Sequence, residues 1–314
     1  MINKKMEGES LVIIATYNGE KYIRDAIDSI PNICDIFISD DLSKDSTLAT
    51  VRDACNRKKA VEIITFSSGG AAALNFANAI NNVPNTYEYY FLADQDDVWT
   101  ENKYEILISE IKDLEKHYGK DCPLLIFGDS IVVDESLNII GDSFFKYDGI
   151  NPNILMSDIR RLYFQNVAQG ATFIFNNSLL KMITPLPNNI YMHDWWLLLC
   201  AMNFGKVKLS KHKTLLYRQH GRNSIGAKKR NILSQILNHF SGNGKIAKHY
   251  LNIYKQNNTF FYKYEDIINV EAKNFLFEYC HVKNRNFFYR KYFLIKNKIY
   301  LSNFKRTVAL YLYF

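Results

Sequence analysis

The chain has 314 residues, of which 47% are hydrophobic and 23% charged, and its formal net charge is +7. This length and apolar content allow a large buried core, which excludes general disorder. No apolar run reaches the roughly 18–20 residues of a membrane span, and residues 1–10 lack the apolar centre of a signal peptide. We therefore expect a cytoplasmic protein.

Positive charge is concentrated in the C-terminal part of the chain. Residues 231–314 contain 13 Lys and Arg against 4 Asp and Glu, a net charge of +9, which leaves residues 1–230 at −2. We predict a catalytic domain over residues 1–230 and a basic, aromatic-rich helical region over residues 231–314. The five cysteines form no Cys-x-x-Cys pair, so neither a zinc site nor a disulfide framework is indicated.

Short apolar runs alternate with helical patterns along the first 130 residues. Strands are predicted at residues 11–15, 36–39, 61–66, 89–93 and 124–128. Helical spacing follows each of the first four runs, and the longest such helix is expected around Lys103–Tyr118. Four alternations of strand and helix predict an α/β protein with a doubly wound, mostly parallel sheet.

Acidic and glycine residues follow these predicted strands. Because parallel strands end at the same edge of a sheet, we expect these residues to gather there: Asp40, Asp41, Gly69, Gly70, Asp94, Asp96 and Asp97. Three acids within residues 94–97 repel one another unless a cation joins them, and Mg²⁺ is usually held by one or two carboxylates with substrate phosphates. The pattern indicates a metal-assisted diphosphate site. The alternative is a solvated acidic loop in which Asp97 caps the next helix.

A second group of candidates lies between residues 166 and 221. His193 and Asp194 precede an apolar helix that begins with Trp195 and Trp196 and ends before Gly205. Asp194 is either a helix cap or a general base, and the two tryptophans are either core or a sugar-stacking surface. A predicted strand then runs into a polar loop that contains Arg218, Gln219 and His220.

Five motifs occur in a defined order over about residues 10–226. They are ATYNG at 15–19, DDxSxDST at 40–47, DQDDVW at 94–99, HDWW at 193–196 and YRQHGxN at 217–223. Together they resemble family 2 glycosyltransferases, and DQDDVW with HDWW and RQH is similar in particular to bacterial rhamnosyltransferases of O-antigen and capsule assembly. The resemblance implies a GT-A fold and an inverting transferase that uses a nucleotide-diphosphate sugar with Mg²⁺ or Mn²⁺.

By position, the resemblance also implies roles for individual residues. Nucleotide contacts would be Thr16, Tyr17, Asn18, Asp40 or Asp41, Gly70 and Asp94. Asp96 and His220 would hold the metal, and Asp194 would be the base. Acceptor or diphosphate contacts would be Gln169, Gly170, Trp195 and Arg218, with Arg222 an alternative to Arg218. Leu42 departs from the family, which often has glycine there, so the turn after Asp41 is expected to differ.

The implied substrates are rhamnose from dTDP-rhamnose and a lipid-linked saccharide acceptor. Alternatives are a UDP-hexose-dependent transferase, a sugar-nucleotide nucleotidyltransferase and a non-catalytic nucleotide-sugar or membrane-binding module. Residues 16–20 contain no Arg or Lys to hold a triphosphate, which argues against the nucleotidyltransferase. The basic C-terminal region is interpreted either as a helical appendage that packs on the catalytic domain or as a platform on an anionic inner membrane surface. Nucleic acid is not expected as a partner because no binding motif accompanies the charge.

Overall fold

The computed structural model describes residues 8–56, 58, 60–221 and 244–314. The predicted diphosphate ligand Arg222 and the helical pattern at Ile232, Ile236 and Phe240 lie outside the described residues. The described residues divide into two compact units, which fall within residues 1–144, 168–188 and 192–226 and within residues 145–167, 189–191 and 227–314. The predicted boundary at residue 230 stays a prediction, since residues 145–167 group with the C-terminal helices.

Nine strands of the described residues form one sheet in the first unit. They are β1 Ser10–Thr16, β2 Asp35–Asp40, β3 Val61–Thr65, β4 Tyr89–Asp94, β5 Val98–Trp99, β6 Leu124–Val133, β7 Ile139–Gly141, β8 Ile174–Asn176 and β9 Lys206–Arg218. Their order across the sheet is β3-β2-β1-β4-β8-β6-β9-β5, with β7 paired to β6. The central strands β1 and β2 are buried along their whole length, as the apolar run 11–15 predicts for β1, while β2 also buries Asp35, Ser39 and Asp40.

Parallel pairing sets the register of the strands that carry the candidate site. β1 pairs in parallel with β2 and with β4, so Thr16 lies opposite Asp40 and Ala15 lies opposite Asp94. β3 extends this parallel group on β2. The carboxyl ends of these four strands therefore meet at one edge, which confirms the predicted mostly parallel α/β sheet.

The other half of the sheet mixes strand directions. β8 is antiparallel to both β4 and β6, β5 is antiparallel to β9, and β7 is antiparallel to β6. β6 continues past the predicted end at Gly128 to Val133, and β9 has 13 residues instead of the short strand expected before Arg218. These extensions begin with polar residues, such as Asp129 and Ser130 in β6 and Lys206 in β9, which is why an apolar-run criterion did not detect them.

Helices cover the faces of this sheet and position its loops. In the first unit they are Ile23–Ser29, Thr47–Cys55, Ala72–Asn82, Lys103–Tyr118, Asn177–Ile183 and His193–Phe204, together with a 3₁₀ turn at Gly170–Thr172. The predicted helix around Lys103–Tyr118 has those bounds. Its apolar residues Leu107, Ile108 and Ile111 pack into a core that also contains Val12 and Phe91. The hydrophobic faces of helix and sheet thus hold the strand ends at fixed positions.

The second unit is helical and rich in packed aromatic rings. Its helices are Phe144–Asp148, which begins at the last residue of the first unit, and then Pro152–Met156, Ile159–Leu162, Lys245–Tyr264, Val270–Val282, Phe287–Lys296 and Phe304–Tyr313. Tyr279 lies at its centre, with its ring centroid 5.3 Å from that of Phe164 and 5.7 Å from that of Phe314. Among the helices that the structure describes, none is both long and apolar enough to cross a membrane.

Candidate functional site

The loop after β1 carries three predicted nucleotide contacts, which the structure places differently. Thr16 is buried, and its hydroxyl donates a hydrogen bond to Asp40 Oδ1 at 2.7 Å. Tyr17 is 45% exposed, and its ring lies beside Gly70, where an added Cβ would be 3.7 Å from Cε1 of the ring. Asn18 is half-buried with φ of +47°, a left-handed conformation in which Asn is enriched. Tyr17 is therefore accessible to a ligand, while Thr16 anchors the loop through its buried bond to Asp40.

Gln95 joins the loop after β4 to the loop after β1, a contact that sequence reasoning missed. The backbone N–H of Tyr17 donates to Gln95 Oε1 at 2.9 Å, and Gln95 Nε2 donates to the carbonyl of Tyr17 at 3.1 Å. A Cβ at Gly19 would lie only 2.2 Å from Gln95 Oε1, so glycine is needed there for this close approach. The sequence shows only an amide between two acids at position 95, and its partner at Tyr17 becomes visible when β1 and β4 are paired.

Asp40 is completely buried and its carboxylate is used within the protein. Besides the bond from Thr16, Oδ1 accepts a hydrogen bond from the hydroxyl of Ser43 at 2.6 Å, and Oδ2 accepts one from the backbone N–H of Ser43 at 2.8 Å. A carboxylate with no exposed surface does not contact a base directly. Asp41 is also buried, at 4% exposure, so base contact by either acid stays a prediction.

Asp41 holds the glycine loop that follows β3. Its carboxylate accepts hydrogen bonds from the backbone N–H of Ser68 at 2.5 Å and from that of Gly70 at 2.6 Å. Gly69 and Gly70 have φ of +67° and +81°, values that favour glycine. Leu42 nevertheless adopts φ of +53°, so the turn after Asp41 keeps a left-handed residue in spite of its Cβ, and the expectation that this turn would differ is wrong in that respect.

The acids of the loop after β4 act electrostatically on one another. Burial and the charges of Asp96 and Asp194 raise the pKa of Asp94 to about 7. Asp97 is 2% exposed, and burial together with the charges of Asp96 and Asp94 raises the pKa of its carboxyl well above the ordinary range. Asp97 Oδ2 is buried without a hydrogen-bond partner among the described residues. A positive charge brought to this edge would therefore stabilise the ionised form of several carboxylates at once.

Lys103 supplies one buried positive charge beneath this acidic group. The side chain is fully buried, Nζ donates to the carbonyl of Ala171 at 2.6 Å, and Nζ lies 4.0 Å from the ring centroid of Trp99. Its charge favours ionisation of Asp94 and Asp97, while burial lowers its own pKa to about 7. Sequence reasoning missed Lys103, although a lysine at the first position of a helix opposes the helix dipole and was a usable signal.

The two predicted metal ligands are in direct contact. His220 Nε2 lies 2.7 Å from Asp96 Oδ2, and the two side chains are 8% and 18% exposed. The ring of Tyr22 stacks on the imidazole with centroids 4.8 Å apart, which fixes the orientation of His220. Tyr22, at the N-cap of the helix Ile23–Ser29, had no sequence pattern that distinguished it from an ordinary core residue. The structure thus brings Asp96 and His220 together as a pair.

Arg218 holds the acidic loop from within the protein. Its Nε donates to the carbonyl of Asp96 at 2.9 Å, its Nη1 to the carbonyl of Glu135 at 2.7 Å and its Nη2 to Asp25 Oδ2 at 2.9 Å. The backbone N–H of Arg218 also donates to Asp97 Oδ1 at 2.9 Å. The side chain is 3% exposed, and through these bonds Arg218 fixes the position of the acids, while its contact with a diphosphate stays a prediction.

Asp194 lies in the first turn of the helix His193–Phe204, against the 3₁₀ turn. A Cβ on Gly170 would be 3.2 Å from the Cβ of Asp194, so Gly170 permits this close approach. Gln169 is half-buried, and its Oε1 accepts a hydrogen bond from the hydroxyl of Ser130 at 2.6 Å. Trp195 is 2% exposed, which fits the packing alternative and not an exposed sugar-stacking surface. Gly170, Gln169 and Asp194 are therefore brought together, and Trp195 belongs to the core.

The charge of Asp194 acts on Asp94 across two separate segments of the chain. Asp194 comes from the helix His193–Phe204, whereas Asp94 is the last residue of β4 and Asp96 follows that strand. Thr16 is the last residue of the neighbouring strand β1, and Tyr17 and Asn18 follow it. His220, which follows the end of β9, contacts Asp96. The edge formed by β1, β4 and β9 thus presents carboxylates, an imidazole and an accessible tyrosine together, an arrangement suited to a phosphorylated, hydroxyl-rich ligand.

Comparison with known proteins identifies this class of site. The sequence profile of the family described as "Glycosyl transferase family 2" matches residues 11–154. The dTDP-rhamnosyl transferase RfbG of Shigella flexneri is 30% identical over 237 residues, which cover 68% of this chain and 74% of that protein. The chain belongs to glycosyltransferase family 2, and it is a glycosyltransferase.

Solved structures agree on the fold. The crystal structure of S. aureus TarS 1-349 in complex with UDP has a TM-score of 0.51 at 17% identity, and the match covers 93% of this chain and 92% of that chain. A second crystal structure of S. aureus TarS gives a TM-score of 0.50 at 18% identity, and here the match covers 67% of this chain but only 36% of that longer chain. These likenesses support the GT-A fold that the motifs predict.

Proposed function

We propose that this chain transfers a sugar, with rhamnose from dTDP-rhamnose as the first candidate, to a hydroxyl of a lipid-linked saccharide with inversion at the anomeric carbon. The observation that carries the proposal is the proximity of Asp194 to the acids after β4, since its charge raises the pKa of Asp94. This proximity supports a base candidate beside the candidate diphosphate site. The name of the Shigella flexneri relative supports dTDP-rhamnose as the donor.

A divalent cation fits the side chains present. No group of three or more His, Cys, Asp or Glu among the described residues is arranged to hold a metal ion alone. We assign the direct pair of Asp96 and His220 as the two protein donors, a number that suits Mg²⁺ or Mn²⁺ when phosphate oxygens provide further ligands. The orphaned Oδ2 of buried Asp97 and the raised pKa of Asp94 are consistent with a cation nearby. A bound cation supplies Lewis-acid stabilisation of the charge on the leaving diphosphate.

We assign donor binding, proton transfer and support of the acidic loop to residues of the chain. Tyr17, at the end of β1, faces the nucleotide, and Asp41, at the end of β2, holds the glycine loop beside it. Gln95 keeps the loop that carries Tyr17 aligned with the acids. Asp194 accepts the proton of the attacking acceptor hydroxyl, a contribution of order 10²–10⁴ in rate. Direct displacement by that hydroxyl inverts the anomeric centre, because the acceptor attacks the face opposite the departing diphosphate. Arg218 and Lys103 hold and partly neutralise the acidic loop.

We place the acceptor at an anionic membrane surface, where the second unit provides aromatic and basic residues. On the helix Phe287–Lys296, Phe288, Tyr292 and Ile295 follow one another at helical spacing and are 80%, 56% and 63% exposed. On the helix Phe304–Tyr313, Phe304 and Leu312 are 82% and 63% exposed. The net +9 of residues 231–314 complements anionic lipid, which makes peripheral association with the inner membrane surface the favoured role for this unit. A lipid-linked acceptor of the kind used for O-antigen or capsule would be reached there.

The function is tested with a panel of donors offered to the purified full chain with Mn²⁺ and a membrane extract that contains lipid-linked saccharides. dTDP-rhamnose, UDP-galactose and UDP-N-acetylglucosamine, each radiolabelled in the sugar, are compared for transfer into the lipid fraction. We expect label from dTDP-rhamnose in that fraction, and loss of transfer when EDTA is added. Transfer from a UDP-sugar alone would assign a UDP-hexose-dependent enzyme instead, and a transfer that EDTA leaves unchanged would contradict the metal site.

A further inference from the structure

We propose that Lys103 positions the base candidate Asp194, because its buried ammonium group holds in place the 3₁₀ turn Gly170–Thr172 on which Asp194 rests. The inference deepens the proposed function and rests on it, since it assumes that Asp194 accepts the proton of the acceptor hydroxyl. Lys103 begins the helix that follows the acidic loop, and its side chain has no exposed surface to offer a substrate. It is therefore a positioning residue and not a catalytic one.

The first observation is that an ammonium group is buried where an apolar side chain would pack. A hydrogen bond from Nζ to the carbonyl of Ala171, at 2.6 Å, and the ring of Trp99, at 4.0 Å, offset the loss of water. Burial lowers the pKa of Lys103 to about 7, which shows that the charge is unfavourable here. Leucine or methionine would fill the space without this penalty. A lysine at this position therefore indicates that the ammonium group itself is needed.

The second observation is which segments the ammonium joins. Ala171 is the middle residue of the 3₁₀ turn and is 2% exposed, and its bond to Lys103 spans 68 residues of the chain. Against the lowering by burial, the charges of Asp97 and Asp94 raise the pKa of Lys103, so the ammonium also interacts with the acidic loop. One buried group thus links the acids after β4 to the turn.

The third observation is how closely the turn lies against Asp194. A Cβ built on Gly170 would be 3.2 Å from the Cβ of Asp194 and 2.9 Å from Nε2 of His193, so a side chain at position 170 would clash with the start of the helix His193–Phe204. The backbone of the turn and the first residues of this helix are therefore in tight contact. Because close-packed groups transmit displacements, a shift of the turn moves Asp194 as well.

The fourth observation concerns the strength of the bond from Lys103. The turn is also attached to β6, where the backbone N–H of Gly128 donates to Oγ1 of Thr172 at 3.3 Å. That bond is long and joins neutral groups, whereas the bond from Lys103 to Ala171 is shorter by 0.7 Å, the difference between 3.3 and 2.6 Å, and has a charged donor. Charge-assisted hydrogen bonds are roughly twice as strong as neutral ones. Lys103 is consequently the stronger of these two attachments.

The test uses the full chain with Lys103→Met, which keeps a long apolar side chain and removes the ammonium. Turnover at saturating radiolabelled donor should fall by about ten- to a hundredfold, the size of effect that follows from a small displacement of a catalytic group. The affinity for dTDP, measured by calorimetry, should stay unchanged. Lys103→Arg keeps the charge and the N–H donors and should restore part of the rate. Lys112→Met, on the same helix at a lysine paired with Glu9, is the matched control and should behave as the wild type does.

A double-mutant cycle distinguishes positioning of Asp194 from general support of the fold. If Lys103 acts through Asp194, Lys103→Met should lower turnover by less than about twofold in a chain that already contains Asp194→Asn. If the two residues act independently, Lys103→Met should cause the same fold-loss in both backgrounds. Melting temperatures check that the variants are folded, and Lys103→Gln replaces Lys103→Met in the cycle if the latter does not fold.

Titration of Mn²⁺ in the presence of dTDP gives a further readout. Loss of a positive charge near the acids should leave the Mn²⁺ affinity of Lys103→Met equal to or above that of the wild type, because the ammonium repels the cation. Weaker Mn²⁺ binding, or equal losses of turnover in both backgrounds of the cycle, would overturn the proposal. A wild-type chain that transfers no sugar from any donor, or normal turnover in Asp194→Asn, would refute the proposed function itself, which is a distinct result.

Discussion

The imidazole of His220 and the carboxylate of Asp96 meet at 2.7 Å although 123 residues separate them in the chain. The contact exists because β9 ends beside the loop that follows β4, with Arg218 bonded to the carbonyl of Asp96 at the same place. A lone histidine and one acid of a cluster are each weak indicators of a metal site. Their contact in the folded chain makes them a stronger indicator together.

If Asp96 and His220 hold a cation, then His220→Ala should weaken Mn²⁺ binding by about tenfold or more, because one of two protein ligands is lost. Asp96→Asn should abolish metal-dependent transfer. Calorimetric titration of Mn²⁺ in the presence of dTDP measures the first effect. His117→Ala, at an exposed position near the end of the helix Lys103–Tyr118, is the control that should bind as the wild type does. An unaltered Mn²⁺ affinity in His220→Ala would remove His220 from the metal shell.

Asp194→Asn should reduce turnover by about 10²–10⁴, the range for loss of a general base, while donor affinity stays the same. Asn preserves the size of the side chain and its position against Gly170, so the change acts on proton transfer and not on packing. Turnover is measured with saturating donor, and donor affinity by calorimetry. Asp113→Asn, an exposed acid in a surface ion pair, serves as the matched control. Normal turnover in Asp194→Asn would leave this residue with its helix-terminal role only.

His193 should also make the protein sensitive to acid. Its pKa falls from an ordinary value of 6.5 to about 3 in the folded chain, so between these values the unfolded state binds the extra proton. Stability contributed by the neutral ring is therefore fully present above pH 6.5 and is lost as the pH falls toward 3, by at most about 1.4 kcal/mol per pH unit. Denaturant melts of the wild type and His193→Phe from pH 7 to pH 4 should show the variant gaining relative stability. Parallel curves would contradict the pKa direction.

Leu42→Gly should stabilise the fold by up to about 1 kcal/mol, because a leucine at φ of +53° is strained and glycine is not. The side chain is 53% exposed, so little burial is lost with it. Leu42→Ala removes the same side chain but keeps the Cβ, and it should show no such gain. Unfolding in urea measures both variants. Equal effects of the two substitutions would mean that the backbone conformation costs nothing here.

The membrane hypothesis predicts that the full chain floats with vesicles of phosphatidylglycerol and less with vesicles of phosphatidylcholine, since the basic C-terminal region favours anionic lipid. Phe288→Ser together with Phe304→Ser should reduce flotation, because both rings are at least 80% exposed and would enter the interface. Ile139→Ser changes an exposed apolar residue of the first unit and is the control. Equal flotation of the wild type, the double variant and the control would contradict insertion of the two exposed rings into the membrane interface.

The sequence predicted the strands that consist of uninterrupted apolar residues and the acids that follow them. It did not reveal the direction of β8, since three buried residues carry no information about pairing partners. The first nine residues of β9 are rich in lysine and polar side chains, so only its apolar end was recognisable.

The same limit applies to the site. The position of the motifs pointed to Asp96, Asp194 and His220 as site residues. The hydrogen bonds from the guanidinium of Arg218 to Asp25 and to two carbonyls depend on contacts far apart in the chain, so the sequence pattern did not predict them. Trp195 was open to two interpretations because its helix is apolar on all sides, and only its burial decides between them. Lys103 and Gln95 act through partners that lie more than 60 residues away along the chain.

The side-chain amide of Gln95 bonds to the backbone of Tyr17 as a neighbouring strand would, accepting from its N–H and donating to its carbonyl. β1 and β4 run side by side up to Ala15 and Asp94, and the amide of Gln95 supplies one more rung after the strands themselves have parted. Few residues can replace Gln95 in these two hydrogen bonds, because glutamate lacks the N–H donor and asparagine is shorter by a methylene. The loop that carries Tyr17 is therefore tied to the loop that carries the acids by a side chain and not by the sheet itself.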